Sequence, residues 1–113
     1  MITQVNLAIS LANNVMSTKY GQDIGKFSII TDKIHMSEFY EVTQLGDIAM
    51  AYDFCTDHIS DVAKLNEFDD DLNLFLETLS DAVTKYGLKC VDHFDGSSGD
   101  LYYGHTVFAK SDS

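Results

Sequence analysis

The side chains able to do chemistry in this chain are acids, histidines and two cysteines, and their spacing argues against most catalytic and metal sites. Asp69, Asp70 and Asp71 form the most conspicuous group. A calcium loop starting at Asp69 would take further ligands from Asp71 and Asn73, then require glycine at position 74 and glutamate at position 80. Leu74 and Ser80 stand there instead. The triplet therefore reads as the acidic first turn of a helix. Carboxylates there meet the positive end of the helix dipole and still leave oxygens facing a partner. His35, His58, His93 and His105 are scattered singly, without His-x-x-x-His or Cys-x-x-Cys spacing, so they predict no zinc site. Asp57-His58 and Asp92-His93 are neighbours, but successive residues of a strand point to opposite faces, and adjacency alone makes no dyad. Cys90 with His105 is a nucleophile–base pairing that the last hairpin could bring together. Gly96-Ser-Ser-Gly99 lies in that hairpin, bracketed by Asp95 and Asp100, and would repel phosphate rather than cradle it. The sequence thus predicts no catalytic residue, no cofactor and no metal.

What remains is charge. Eighteen Asp and Glu stand against seven Lys, with no Arg, for a net charge of −11 over 113 residues. Such a chain repels nucleic acid and anionic membrane and attracts basic surfaces. Arg is the usual fork for phosphate and carboxylate, and its absence suits a chain gripped by a basic protein.

The acids are concentrated. Asp53, Asp57, Asp61, Glu67, Asp69, Asp70 and Asp71 fall in a run interrupted only by Lys64, whereas a merely soluble surface mixes signs. Same-face carboxylates on a strand or helix repeat at roughly 6–7 Å, a spacing broadly like that of successive phosphates. A second group lies toward the C-terminus: Asp92, Asp95, Asp100, Tyr102 and Tyr103. Tyr offers large contact area at little entropic cost, and strand alternation leaves only one of the two tyrosines facing a core.

These residues need elements to position them. Ile2, Val5, Ile9, Ala12 and Met16 recur at helical spacing, with Leu7, Ala8, Leu11 and Val15 widening the stripe, and Gly21 reads as the stop. From Lys26 the period becomes two. Phe27, Ile29 and Thr31, then Glu38, Tyr40 and Val42, then Ile48, Met50, Tyr52 and Phe54 predict three strands of an antiparallel meander. Asp32-Lys33 and Gln44 to Asp47 are the expected turns. Residues 56–68 are ambiguous between loop and a short helical segment. A second helix is expected from about Asp69 to Tyr86, closed by Gly87. Strands over Leu88–Phe94 and Leu101–Ala109 follow, joined by Asp95 to Asp100. Lys110 to Ser113 reads as a fraying tail. The order α-β-β-β-α-β-β predicts a single α+β domain over 1–113, with two helices on one face of a mainly antiparallel sheet of about five strands.

Composition agrees with a folded chain: 45% hydrophobic, with seven Phe and six Tyr, unlike a disordered acidic tail. No apolar run approaches 18 residues, and the N-terminus lacks a signal-peptide pattern. Cys55 and Cys90 form no disulfide framework and read as reduced, small buried hydrophobes. A cytoplasmic protein is expected. In size, charge and architecture the chain resembles the small acidic α+β inhibitors that phages direct against restriction, CRISPR and DNA-glycosylase systems. That resemblance implies a non-enzymatic inhibitor, its carboxylates standing in for phosphates on the basic nucleic-acid channel of a partner. The twelve acidic and tyrosine residues of the two groups above are the expected contacts. Two other readings follow from the residues. The wide apolar stripe and amide-rich face of the first helix suit an accessory subunit or homodimer, and a pocket between sheet and helices would suit a small ligand-binding domain or enzyme.

Overall fold

A computed structural model of the protein describes residues 2–30 and 48–110. Two helices, α1 (Ile2–Tyr20) and α2 (Val62–Thr84), accompany four strands: β1 (Gly25–Ile30), β2 (Ile48–Cys55), β3 (Leu88–Ser98) and β4 (Leu101–Lys110). The strands form one antiparallel sheet in the order β1-β2-β4-β3. The α+β class and the two-helix layer are as the sequence predicts.

Period-two patterning decides which side of the sheet is covered. Phe27, Ile48, Met50, Tyr52, Phe54 and Phe108 point to one face, where they pack on Val5, Ile9, Ala12 and Met16 of α1 and on Phe68, Leu72, Leu79 and Val83 of α2. Phe54, Phe68 and Phe108 are among the largest fully buried side chains. Phe54 meets Phe27 edge-on at 5.0 Å and Phe68 at 5.7 Å, the offset geometry that aromatic quadrupoles prefer. This aromatic centre ties β1, β2 and α2 into one core.

Three expectations are corrected. The meander is one: β1 and β2 are direct antiparallel neighbours, with Gly25 opposite Phe54 and Ile30 opposite Ala49. No strand lies between them. The strand expected around residues 38–43, its flanking turns and the C-terminal tail beyond Lys110 fall outside the described residues.

The second correction concerns α2, which begins at Val62. Phe68 continues the stripe of Leu72, Leu79 and Val83 one turn upstream, and its complete burial draws residues 62–68 into the helix. Asp69 to Asp71 therefore sit inside the helix, not in its first turn. The cap is Asp61, whose Oδ1 accepts from Ala63 N at 3.0 Å.

The third is the last hairpin. Pairing continues to Ser98 opposite Leu101, so only Gly99 and Asp100 form the turn. Gly99 has φ +61°, the positive value that a two-residue hairpin favours at its first central position. Asp95 thus belongs to β3. Val91 is the extra residue of a bulge between Cys90, opposite Phe108, and Asp92, opposite Val107. The slip turns Asp92 to the face away from the helices and His93 and Asp95 toward them. It also leaves Cys90 on an edge strand, exposed rather than buried, and three register positions from His105. The Cys90–His105 pairing is not formed.

Candidate functional site: an acidic end and its groove

Backbone bonds draw three loops together at one end of the domain. Cys55 N donates to Ile24 O at 2.8 Å and Thr56 N to Asp100 O at 2.9 Å. His58 Nε2 donates to the carbonyl of Tyr20 at 2.6 Å. The end of α1, the start of β1, the end of β2, the start of α2 and the β3–β4 turn therefore converge. Asp53, Asp57, Asp61 and Asp100 are carried there, joined by Asp23, and all five are exposed. Asp53 on β2 lies directly opposite Lys26 on β1. Shallow clefts between these loops are lined by Gln22, Asp23, Cys55, Asp57 and His58 and, next to them, by Lys26 and Asp53.

The opposite end holds three of the lysines. Lys85 caps the C-terminus of α2, Lys89 follows the first residue of β3, and Lys110 closes β4 opposite Leu88. The chain is therefore acidic at the end holding the β3–β4 turn and contains three exposed lysines at the other.

Along α2 the acids divide by partner. Asp71 is held inside the molecule: its Oδ2 accepts from Lys19 Nζ and from Tyr20 Oη, both at 2.6 Å. Partial burial pushes the Asp71 carboxyl up, but these two bonds outweigh it and hold its pKa below the usual value. Glu67 pairs with Lys19 at 3.2 Å and with Lys64 at 3.6 Å. Asp69 and Asp70 are exposed. Glu77 and Asp81 extend the solvent face of Asp70 toward the C-terminus of α2. Neither is among the contacts expected from sequence, although their spacing from Asp70, seven and eleven residues on, marks one helix face.

Between α2 and the sheet runs a groove of about 260 Å³, walled by Asp69, Leu72, Asn73 and Leu76 on one side and Tyr52, Asp95, Gly96, Ser97 and Tyr102 on the other. Tyr102 lies against Phe68 at 5.4 Å. Burial, with Asp69 and Asp100 nearby, raises its hydroxyl pKa. Asp95 is oriented from two sides: Tyr52 Oη donates to Oδ1 at 2.6 Å, and His93 Nε2 to Oδ2 at 2.7 Å. The other ring nitrogen, His93 Nδ1, meets Thr106 Oγ1 at 2.9 Å.

Tyr103 turns to the far face, where its ring lies 6.1 Å from Phe94 and above Gly96. The two tyrosines point to opposite faces of the sheet, as alternation requires, and both are half-buried. Asp92 is also on the far face, accepting from His105 Nε2 at 3.2 Å. The predicted contacts thus divide: Asp53, Asp57, Asp61 and Asp100 form an acidic end, and Asp69, Asp95 and Tyr102 a groove. Asp92 and Tyr103 are set apart from both, Asp70 faces outward on α2, Glu67 is paired with Lys19 and Lys64, and Asp71 is occupied internally.

Among the described residues, no group of three or more His, Cys, Asp or Glu side chains is arranged to hold a metal ion, and no helix is long and apolar enough to cross a membrane. Comparison with protein-family models, with curated proteins and with solved structures found no match.

Proposed function

We propose that the protein is a non-enzymatic interaction protein that applies its acidic end and groove to the basic nucleic-acid-binding surface of another protein. The partner class is a DNA- or RNA-processing or phage-defence protein, and the effect is to block its channel. The observation that carries this reading is the segregation of charge: Asp23, Asp53, Asp57, Asp61 and Asp100 converge on one end, while Lys85, Lys89 and Lys110 lie at the other. A basic channel orients such a molecule before contact, which raises the association rate. Tyr102 and the walls of the groove then supply short-range contact area, the kind of aromatic surface on which interfaces concentrate their energy.

The test is capture of partners on the tagged full chain, elution across a salt gradient, and competition by the partner's own nucleic acid. Release at moderate salt, displacement by DNA or RNA, and weakened binding by Asp57→Asn/Asp100→Asn support the reading. Binding unchanged between low and high salt, or unaffected by those two substitutions, refutes phosphate mimicry.

A further inference from the structure

Every ionisable side chain of the protein lies C-terminal to Thr18: all eighteen acids, seven lysines and four histidines. The segment before it is all of α1 but its last two residues, Lys19 and Tyr20, and this helix is apolar on two sides. One row, Val5, Ile9, Ala12, Met16 and Tyr20, is buried against the sheet and α2. A second row, Leu7, Leu11 and Val15, recurs at i, i+4, i+8 on the outward side and is 61%, 59% and 39% exposed. Around it stand Thr3, Gln4, Ser10, Asn14 and Thr18, uncharged and also exposed. An apolar row on a helix is ordinarily buried against a neighbour, and here the fold covers only one of the two.

We infer that the outward face of α1 binds the same face of a second copy of this chain, forming a two-fold-symmetric dimer. The argument for a second copy is electrostatic. Two molecules of charge −11 repel wherever acids face acids, and the outer face of α2 and the loop end both present acids. Among the described residues, the outward face of α1 is a surface on which two copies can meet with no charged side chain on either side. Its composition, leucine with small polar residues and no ionisable group, also matches homodimer interfaces, whose cores are depleted in charge. A two-fold axis near Leu11 would set Leu11 against its mate and Leu7 against the mate's Val15. Ridges of i, i+4 spacing pack on one another at a crossing angle of about −50°. A contact limited to one helix from each copy is smaller than a standard interface, so the dissociation constant should be weaker than roughly 1 µM. This inference is independent of the basic-partner reading, since the face it uses carries none of the acids.

Sedimentation equilibrium of the full chain across a concentration series tests it, at low salt and at about 0.5 M salt, where charge repulsion is screened. The wild type should move from 12.6 kDa toward twice that mass as concentration rises, and more readily in high salt. Leu7→Glu/Leu11→Glu places two acids on the row at exposed helical positions. It should remain monomeric, with unchanged far-UV circular dichroism and a midpoint for dissociation displaced at least tenfold. Leu7→Ser/Leu11→Ser provides a charge-free control and should also weaken association. Monomer mass at every concentration in high salt overturns the proposal. Dimerisation that survives both double variants assigns the contact to another face and overturns it equally. So does a monomer whose Leu7 and Leu11 become protected only on adding a different protein.

Discussion

Tyr52 and Asp95 are joined across an intervening strand: Tyr52 is opposite Gly104 on β4, Gly104 is opposite Asp95 on β3, and the Tyr52 hydroxyl donates to Asp95 Oδ1 at 2.6 Å. The ring crosses β4 because Gly104 has no side chain. A Cβ there would lie 2.7 Å from Tyr52 Cε1 and 2.3 Å from Phe94 O. The bond fixes one wall of the groove and positions a carboxylate at its edge.

Gly104→Ala should therefore cost about 2–4 kcal/mol, since backbone as well as a ring must move. Tyr52→Phe keeps the packing and loses the hydroxyl, for about 1 kcal/mol. Urea denaturation checks both. A double-mutant cycle of Tyr52→Phe with Asp95→Asn should show coupling, and additive effects would mean that the bond contributes nothing.

Asp71 ties α2 to α1 through Lys19 and Tyr20, with Glu67 sharing Lys19, and its removal should be felt more than that of any exposed acid on α2. Asp71→Ala leaves the buried Tyr20 hydroxyl without its acceptor and should cost about 2–3 kcal/mol, against less than about 0.5 kcal/mol for Asp70→Ala. The same tie sets a pH window. The folded Asp71 pKa is lowered, so its contribution is present above the ordinary value of 3.8 and is lost as pH falls through the folded value. Burial and the Asp71 bond raise the Tyr20 pKa, and the Asp71 bond raises that of Lys19. Both favour the protonated forms, so the alkaline loss begins only above about pH 10. In thermal melts from pH 2 to 11 the contribution of this tie should be constant between these limits, and Asp71→Asn should lower stability across that range while removing the tie's share of the acid-side loss.

Replacing the cap of α2 separates structure from binding at the acidic end. Asp61→Ala should destabilise by about 1 kcal/mol, and Asp61→Ser by only a few tenths, because serine also caps. If the two substitutions unfold at the same denaturant midpoint, the Asp61 Oδ1 bond to Ala63 N is not formed in solution.

His58 links the end of α1 to the β2–α2 loop and should make that junction sensitive to pH near neutrality. The backbone bond to Tyr20, aided by Asp57 and opposed by desolvation, raises its pKa above 6.5. Stability from a raised histidine pKa is full below 6.5 and is lost as pH rises through the folded value. The melting temperature of the wild type should fall over that interval, and His58→Gln should flatten the slope. An imidazole titration by NMR that reports a pKa below 6.5 would contradict the arrangement.

The strands that carry unbroken alternation, Ile48 to Phe54 above all, were legible from sequence alone. Alternation is a local consequence of backbone geometry and needs no knowledge of neighbours. The two helices were legible from their apolar spacing and their stops, Gly21 and Gly87, although the start of α2 was not. Phe68 could be assigned to the helix only once its pocket beside Tyr20, Phe54 and Tyr102 existed. The site followed the same division. Net charge, the absence of Arg and the density of acids between Asp53 and Asp71 are properties of the chain itself, and they determine that its surface is acidic. Which acids are spoken for and which face outward depends on contacts between residues far apart in sequence. Asp71 meets Lys19 and Tyr20, Asp95 meets Tyr52 over Gly104, and the Val91 bulge sends Asp92 to the opposite face. Only the tertiary structure decided that sorting, because a side chain's electrostatic partner is set by the packing of elements and not by its neighbours along the chain.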